Sequence, residues 1–101
     1  IYVDDLSSAI MVLLNKTNLP EVINIGFGKD FTIKELADKI SSAVDFNGKI
    51  IWSNDNIDGA EKKLLDSSLI SSMNWKPKIN LNEGLLKTYK WVKLNGKFKN
   101  E

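Results

Sequence analysis

Val22-Ile23-Asn24-Ile25-Gly26 decides how this chain is read. Apolar β-branched residues surround one polar residue, and a glycine stops the run. That pattern predicts a short strand that ends at Gly26. Lys49-Ile50-Ile51-Trp52-Ser53 repeats the signal after an Asn47-Gly48 turn. Between the two lies a helical pattern with an apolar stripe at Ile33, Leu36, Ala37, Ile40 and Val44. Strand, helix, strand is the signature of a crossover unit. The expected fold is therefore α/β, a small and mainly parallel sheet with about four helices, residues 1–101 making one domain or part of one.

Outward from that unit, helix start and stop signals are plentiful. Asp4 or Asp5 is placed to cap a first helix, with Leu6, Ala9, Ile10 and Leu13 on one face. Thr32 followed by Glu35 is a capping box that opens the second helix. Asp66 is placed to cap a short third helix through Met73, and Pro77 stops anything helical before it. Asn80 with Glu83 opens a last helix carrying Leu81, Leu85, Tyr89 and Val92, which Asn95-Gly96 ends.

Composition narrows the functions. Apolar residues make up 43% of the chain, enough for a core. No apolar run reaches the roughly 18 residues of a membrane span. The net charge of +1 selects neither nucleic acid nor a membrane surface as partner. All 14 basic residues are lysine, which weakens a nucleic-acid reading further because guanine and phosphate contacts favour the arginine fork. Without cysteine there is no thiolate nucleophile or thiolate metal site, and a cytoplasmic setting is expected. Without histidine the usual proton shuttle near neutral pH is missing. The opening Ile1-Tyr2-Val3 is apolar from its first residue and suggests a piece cut from a longer chain.

The stretch richest in chemistry is Asp58-Gly59-Ala60-Glu61-Lys62-Lys63-Leu64-Leu65-Asp66. A doubly basic loop runs into a helix start. Ammonium groups and helix N–H groups together can hold a phosphate. The plainer reading is a solvated loop. Other motifs favour packing. Gly26-Phe27-Gly28 precedes a helix but has Phe31 at the third glycine position of a dinucleotide fingerprint, so a turn or a close backbone approach explains it better. Tyr89 and Lys93 have a dehydrogenase spacing, yet Tyr89 lies on the apolar stripe, where a lysine stem packs beside it. Adjacent Asp4 and Asp5 cannot face each other on a helix, so helix-end electrostatics explain both. Trp75 before Lys76-Pro77 reads as a packed ring in a rigid turn.

Taken together, Tyr2-Val3-Asp4-Asp5-Leu6, Ile23-Asn24-Ile25-Gly26-Phe27-Gly28 and Thr32-Ile33-Lys34-Glu35-Leu36 resemble the C-terminal half of the extended short-chain dehydrogenase/reductase family, its nucleotide-sugar epimerase and dehydratase group. The Asp58–Asp66 segment and Asn74-Trp75-Lys76-Pro77 with Glu83-Gly84-Leu85 resemble members that act on GDP-sugars. Ala60-Glu61-Lys62 stands where their pattern has Thr-Pro-Arg. The resemblance implies a nucleotide-diphosphate-sugar site, with Lys63 on the phosphates and Asp58 accepting from hydroxyl or base donors. It implies no catalytic, cofactor or metal-binding residue in this piece. NADP would be bound by a Rossmann domain N-terminal to it, and the full-length enzyme would be a homodimer. Another epimerase or dehydratase of the family, or a non-catalytic α/β interaction module, are the alternatives.

Overall fold

A computed structural model describes residues 1–53 and 63–96. Among the described residues the secondary structure is helical: α1 (Val3–Leu14), α2 (Ile33–Ala43), α3 (Ser68–Ser72) and α4 (Leu81–Asn95). The expected α/β fold with a small parallel sheet is therefore corrected, since no strand forms among these residues.

The reason lies in what alternation encodes. It reflects which side chains turn inward: Ile23 and Ile25 pack against the central cluster while Val22 faces out. Alternation supplies no second edge, and a ladder needs one about 4.8 Å away. Among the described residues neither Val22–Ile25 nor Lys49–Trp52 exchanges a backbone hydrogen bond with another segment. Along Lys49–Trp52, Ile51 is 82% exposed and Ile50 is half-buried.

The core is small. Ala9 of α1, Ile70 of α3 and Trp75 of the following loop are buried, and Val12, Leu13, Ile23 and Ile25 close around them. Separately, α2 packs on α4. The expected stripes are met in part: Leu36, Ala37 and the C-cap Val44 of α2 and Leu81, Leu85, Tyr89 and Val92 of α4 are half-buried, whereas Ile33 and Ile40 are exposed. Lys39 Nζ donates to Asn82 Oδ1 across the pair at 3.2 Å.

Asp5 departs from its expected role. Tyr2 is the N-cap of α1, and its side chain makes no capping bond. Asp5 sits inside the first turn, 4% exposed, and looks inward. Its two oxygens accept the backbone N–H groups of Lys78 at 3.1 Å and Ile79 at 2.9 Å. Beside it, Trp75 Nε1–H donates to Ser8 Oγ at 2.9 Å, and that hydroxyl donates to the Asp5 carbonyl at 2.8 Å. These bonds tie the start of α1 to the loop that leads into α4.

The N-caps of α2 and α4 form where expected. Glu35 N–H donates to Thr32 Oγ1 at 3.1 Å, and Thr32 N–H donates back to Glu35 Oε2 at 2.8 Å. Glu83 N–H donates to Asn80 Oδ1 at 3.0 Å. Asp66 works from one residue earlier than a cap, accepting Ser68 N–H at 2.9 Å, while Ser67 holds the N-cap position.

The Thr32 N–H, then the Thr32 hydroxyl, holds the Glu35 carboxyl below its ordinary 4.5. A depressed carboxylate stabilises the fold above its unfolded value. That contribution is lost as pH falls through the lower folded value. Thr32→Ala is expected to destabilise the fold by about 1 kcal/mol and, because the Thr32 N–H survives, to remove only the hydroxyl's smaller share of this acid dependence. Urea midpoints at neutral and acid pH, with an unchanged slope, check both.

Candidate functional site

The phosphate-holding loop is the first test of the sequence reading. Asp58 and Lys62 lie outside the described residues. Lys63 is described, exposed, and opens an irregular stretch that enters α3. The helix start contributes less than its sequence suggests. α3 has five residues, and the Ser68 N–H already goes to the Asp66 carboxylate. That bond also holds the Asp66 carboxyl below its ordinary 3.8. An anionic carboxylate thus occupies the donor that a phosphate would use. That N–H is therefore not open to a phosphate, and of the loop's two lysines only Lys63 is described.

The Gly26–Gly28 turn behaves as its packing reading predicts. Gly28 has φ +77°, a left-handed conformation that glycine adopts without strain. A Cβ at Gly26 would stand 3.0 Å from Ser67 Oγ and 3.5 Å from Leu65 Cβ. The loop does not fit a dinucleotide. Its helix begins with the Thr32–Glu35 capping box, so a carboxylate sits where a pyrophosphate would bind. Tyr89 and Lys93 meet as ring and ammonium, Nζ 5.1 Å from the ring centroid, with the tyrosine half-buried on the α4 stripe.

The sequence reading missed the cavity beside this turn. Tyr2, Phe27, Phe31 and Leu85 wall a space of about 350 Å³, and Lys29 and Thr88 stand among its polar lining. Lys29 and Lys39 lie over the Phe31 ring, with Nζ 5.2 Å and 5.5 Å from its centroid. α4 approaches the cavity closely because Gly84 has no side chain; a Cβ there would stand 3.3 Å from the Tyr2 ring. Two polar groups at the rim are already satisfied. Asp30 Oδ1 accepts Phe31 N–H at 3.0 Å, and Asn80 Oδ1 caps α4. Phe27 within the glycine turn and Phe31 after it were the signal, but Tyr2 and Thr88 join them only through the fold. The cavity offers apolar and cationic surface for binding. Among the described residues no cluster of three or more acidic side chains could hold a metal ion. None of their helices is long and apolar enough to cross a membrane.

No protein-family profile matches the chain. Individual proteins do. It is 46% identical over 91 residues to "Probable GDP-L-fucose synthase 1" of Oryza sativa subsp. japonica, covering 90% of this chain and 28% of that protein. It is 42% identical over 95 residues to "GDP-L-fucose synthase 1" of Arabidopsis thaliana, covering 94% of this chain and 29% of that protein. "Putative UDP-glucose 4-epimerase" of Methanocaldococcus jannaschii is 34% identical over 97 residues, covering 96% and 31%. The chain thus spans under a third of the length of the curated relatives it matches. It is homologous to the C-terminal part of proteins named GDP-L-fucose synthase.

Proposed function

We propose that this chain is the substrate-binding part of an NADP-dependent GDP-L-fucose synthase, which converts GDP-4-keto-6-deoxy-mannose to GDP-L-fucose. The homology to the C-terminal part of such synthases carries the reading. In this scheme the chain's residues bind and orient, which lowers the barrier by holding the sugar in a reactive position. Lys63 places a positive charge against the diphosphate, and Asp58 accepts from hydroxyl or base donors. With no histidine or cysteine, the chain is assigned no catalytic residue. The remaining length, a Rossmann domain in a cytoplasmic homodimer, would carry the proton-transfer groups and NADPH, the hydride source for the C4 ketone. The match to a protein named for UDP-glucose epimerisation keeps a second nucleotide-sugar reading in play.

The test is turnover by the full-length protein. Incubation with GDP-4-keto-6-deoxy-mannose and NADPH should oxidise the nicotinamide and yield GDP-L-fucose. Epimerisation of a UDP-hexose without that turnover would favour the second reading. Activity on neither would leave the interaction module.

Lys63 gives a finer check. A charge-assisted hydrogen bond contributes roughly 1.5–3 kcal/mol, so Lys63→Ala should raise KM about 10- to 150-fold. Diphosphate is held alike in the ground and transition states, so kcat should change little. A KM within twofold of the unsubstituted enzyme would remove Lys63 from the site.

A further inference from the structure

Asn47-Gly48 and Asn95-Gly96 are the two asparagine–glycine pairs of this chain. Asparagine is a thermolabile residue, and its side-chain Cγ is open to attack by the backbone nitrogen of the residue that follows. A glycine in that place leaves the nitrogen unshielded, because it has no side chain. The fold treats the two pairs differently. Asn95 is the last residue of α4 and Gly96 is its C-cap. The Gly96 N–H donates to the Val92 carbonyl at 2.6 Å, so the attacking nitrogen is engaged. The side chain is held too, with Asn95 Nδ2 donating to the Trp91 carbonyl at 3.0 Å. Asn47-Gly48 lies beyond α2. The Phe46 N–H closes that helix end by donating to the Ser41 carbonyl at 2.9 Å, with Asp45 at φ +54°. From Asn47 to Lys49 the turn is exposed. The Gly48 N–H donates to no backbone carbonyl among the described residues. The Asn47 side chain makes one bond, from Nδ2 to the Asp45 carbonyl at 3.2 Å. Packing explains why the pair is there, since a Cβ at Gly48 would collide with the Phe46 ring as it stands.

We propose that Asn47 is a site of spontaneous deamidation, with water as the co-reactant, and that the helix end spares Asn95. The Gly48 nitrogen attacks Asn47 Cγ. The N–Cγ bond forms and the Cγ–Nδ2 bond breaks. Nδ2 leaves as ammonia and takes the proton that the Gly48 nitrogen loses, which leaves a cyclic succinimide. Water then opens the ring at either carbonyl. Opening at Cγ gives aspartate. Opening at the backbone carbonyl gives isoaspartate, in which the main chain runs through Cγ and gains a carbon between α2 and Lys49. Nothing is oxidised or reduced. Either product replaces a neutral amide with a carboxylate, and the chain's formal net charge of +1 is cancelled. The new charge stands beside Asp45, at the negative end of a helix with no basic residue in its last turn. Asp38 lines the same cleft.

The experiment uses the full-length protein. It is aged in mildly alkaline buffer, which favours the deprotonated glycine nitrogen, and digested with pepsin in acid. Mass spectrometry then follows both pairs peptide by peptide. A second sample is aged in urea, where neither pair is held. The two should convert at similar rates in urea, because glycine follows each asparagine. In the folded protein Asn47 should convert at least about tenfold faster than Asn95, whose reaction waits for the helix end to release both its nitrogen and its side chain. Both rates come from one unsubstituted molecule, so the ratio depends neither on a variant folding nor on turnover. A native ratio no larger than the ratio in urea would overturn the proposal. The route is checked separately. Isoaspartate should accumulate with aspartate in the Asn47 peptide and accept a methyl group from an isoaspartyl methyltransferase. Aspartate without isoaspartate would rule out the succinimide and with it the attack by Gly48.

Discussion

Asp5→Ala is expected to destabilise the fold by about 3 kcal/mol or more. The carboxylate accepts two backbone N–H groups, at 3.1 Å from Lys78 and 2.9 Å from Ile79. Hydrogen bonds to a charged group contribute about 1.5–3 kcal/mol each, and an abandoned buried donor costs about 1–3 kcal/mol. Alanine removes both acceptors at once and leaves both donors behind. Asparagine does little better, because its amide N–H₂ would face one of the two N–H groups. Asp4 is the internal control. It is adjacent, exposed and equally close to the helix start. If helix-end electrostatics were all that mattered, the two alanine variants would behave alike, each costing about 0.3–1 kcal/mol. If the clamp is real, Asp5→Ala moves the urea midpoint far more than Asp4→Ala. Equal shifts would return Asp5 to the role its sequence first suggested.

That contrast shows what was legible and what was not. The Thr32–Glu35 and Asn80–Glu83 caps join residues three apart, so a local reading finds them and the structure keeps them. The α2 and α4 stripes are likewise local, because helical spacing alone defines the face. Asp5 meets its partners 73 and 74 residues along the chain, and no window of sequence contains both ends. The sheet failed for a related reason. Val22–Ile25 has the side-chain pattern of a strand, but strand pairing is a property of two segments, and the described residues hold no second edge for it. The site divides in the same way. The positive φ of Gly28 and the tight packing at Gly26 could be read from residue type. The convergence of Tyr2, Phe27, Phe31 and Thr88 on one cavity could not. The Asp58–Asp66 motif was visible, while the bond from Ser68 N–H to Asp66, which takes a donor from any phosphate, became visible only in three dimensions.

The second large effect is expected at Trp75. Its ring is 6% exposed and joins Ala9 and Ile70, which are both fully buried. Trp75→Ala removes the largest side chain of a core with few members, and should cost about 3–5 kcal/mol. In a domain whose whole stability is of order 5–15 kcal/mol, that approaches unfolding. Trp75→Phe separates volume from hydrogen bonding. It keeps an aromatic ring but abandons the 2.9 Å bond from Nε1–H to Ser8 Oγ, for about 1–2 kcal/mol. Ser8→Ala strands the same indole N–H from the other side and should cost a similar amount. Because both single variants break one bond, the double variant should cost less than their sum. Emission reports the state of the ring directly. Trp52 and Trp91 are largely exposed, so the blue-shifted part of the folded-state fluorescence belongs to Trp75 and should vanish in Trp75→Phe. Additive costs in the double variant would mean that the indole and the serine do not meet. A Trp75→Ala midpoint within about 1 kcal/mol of the parent would mean that this core is not what holds α1 to α3.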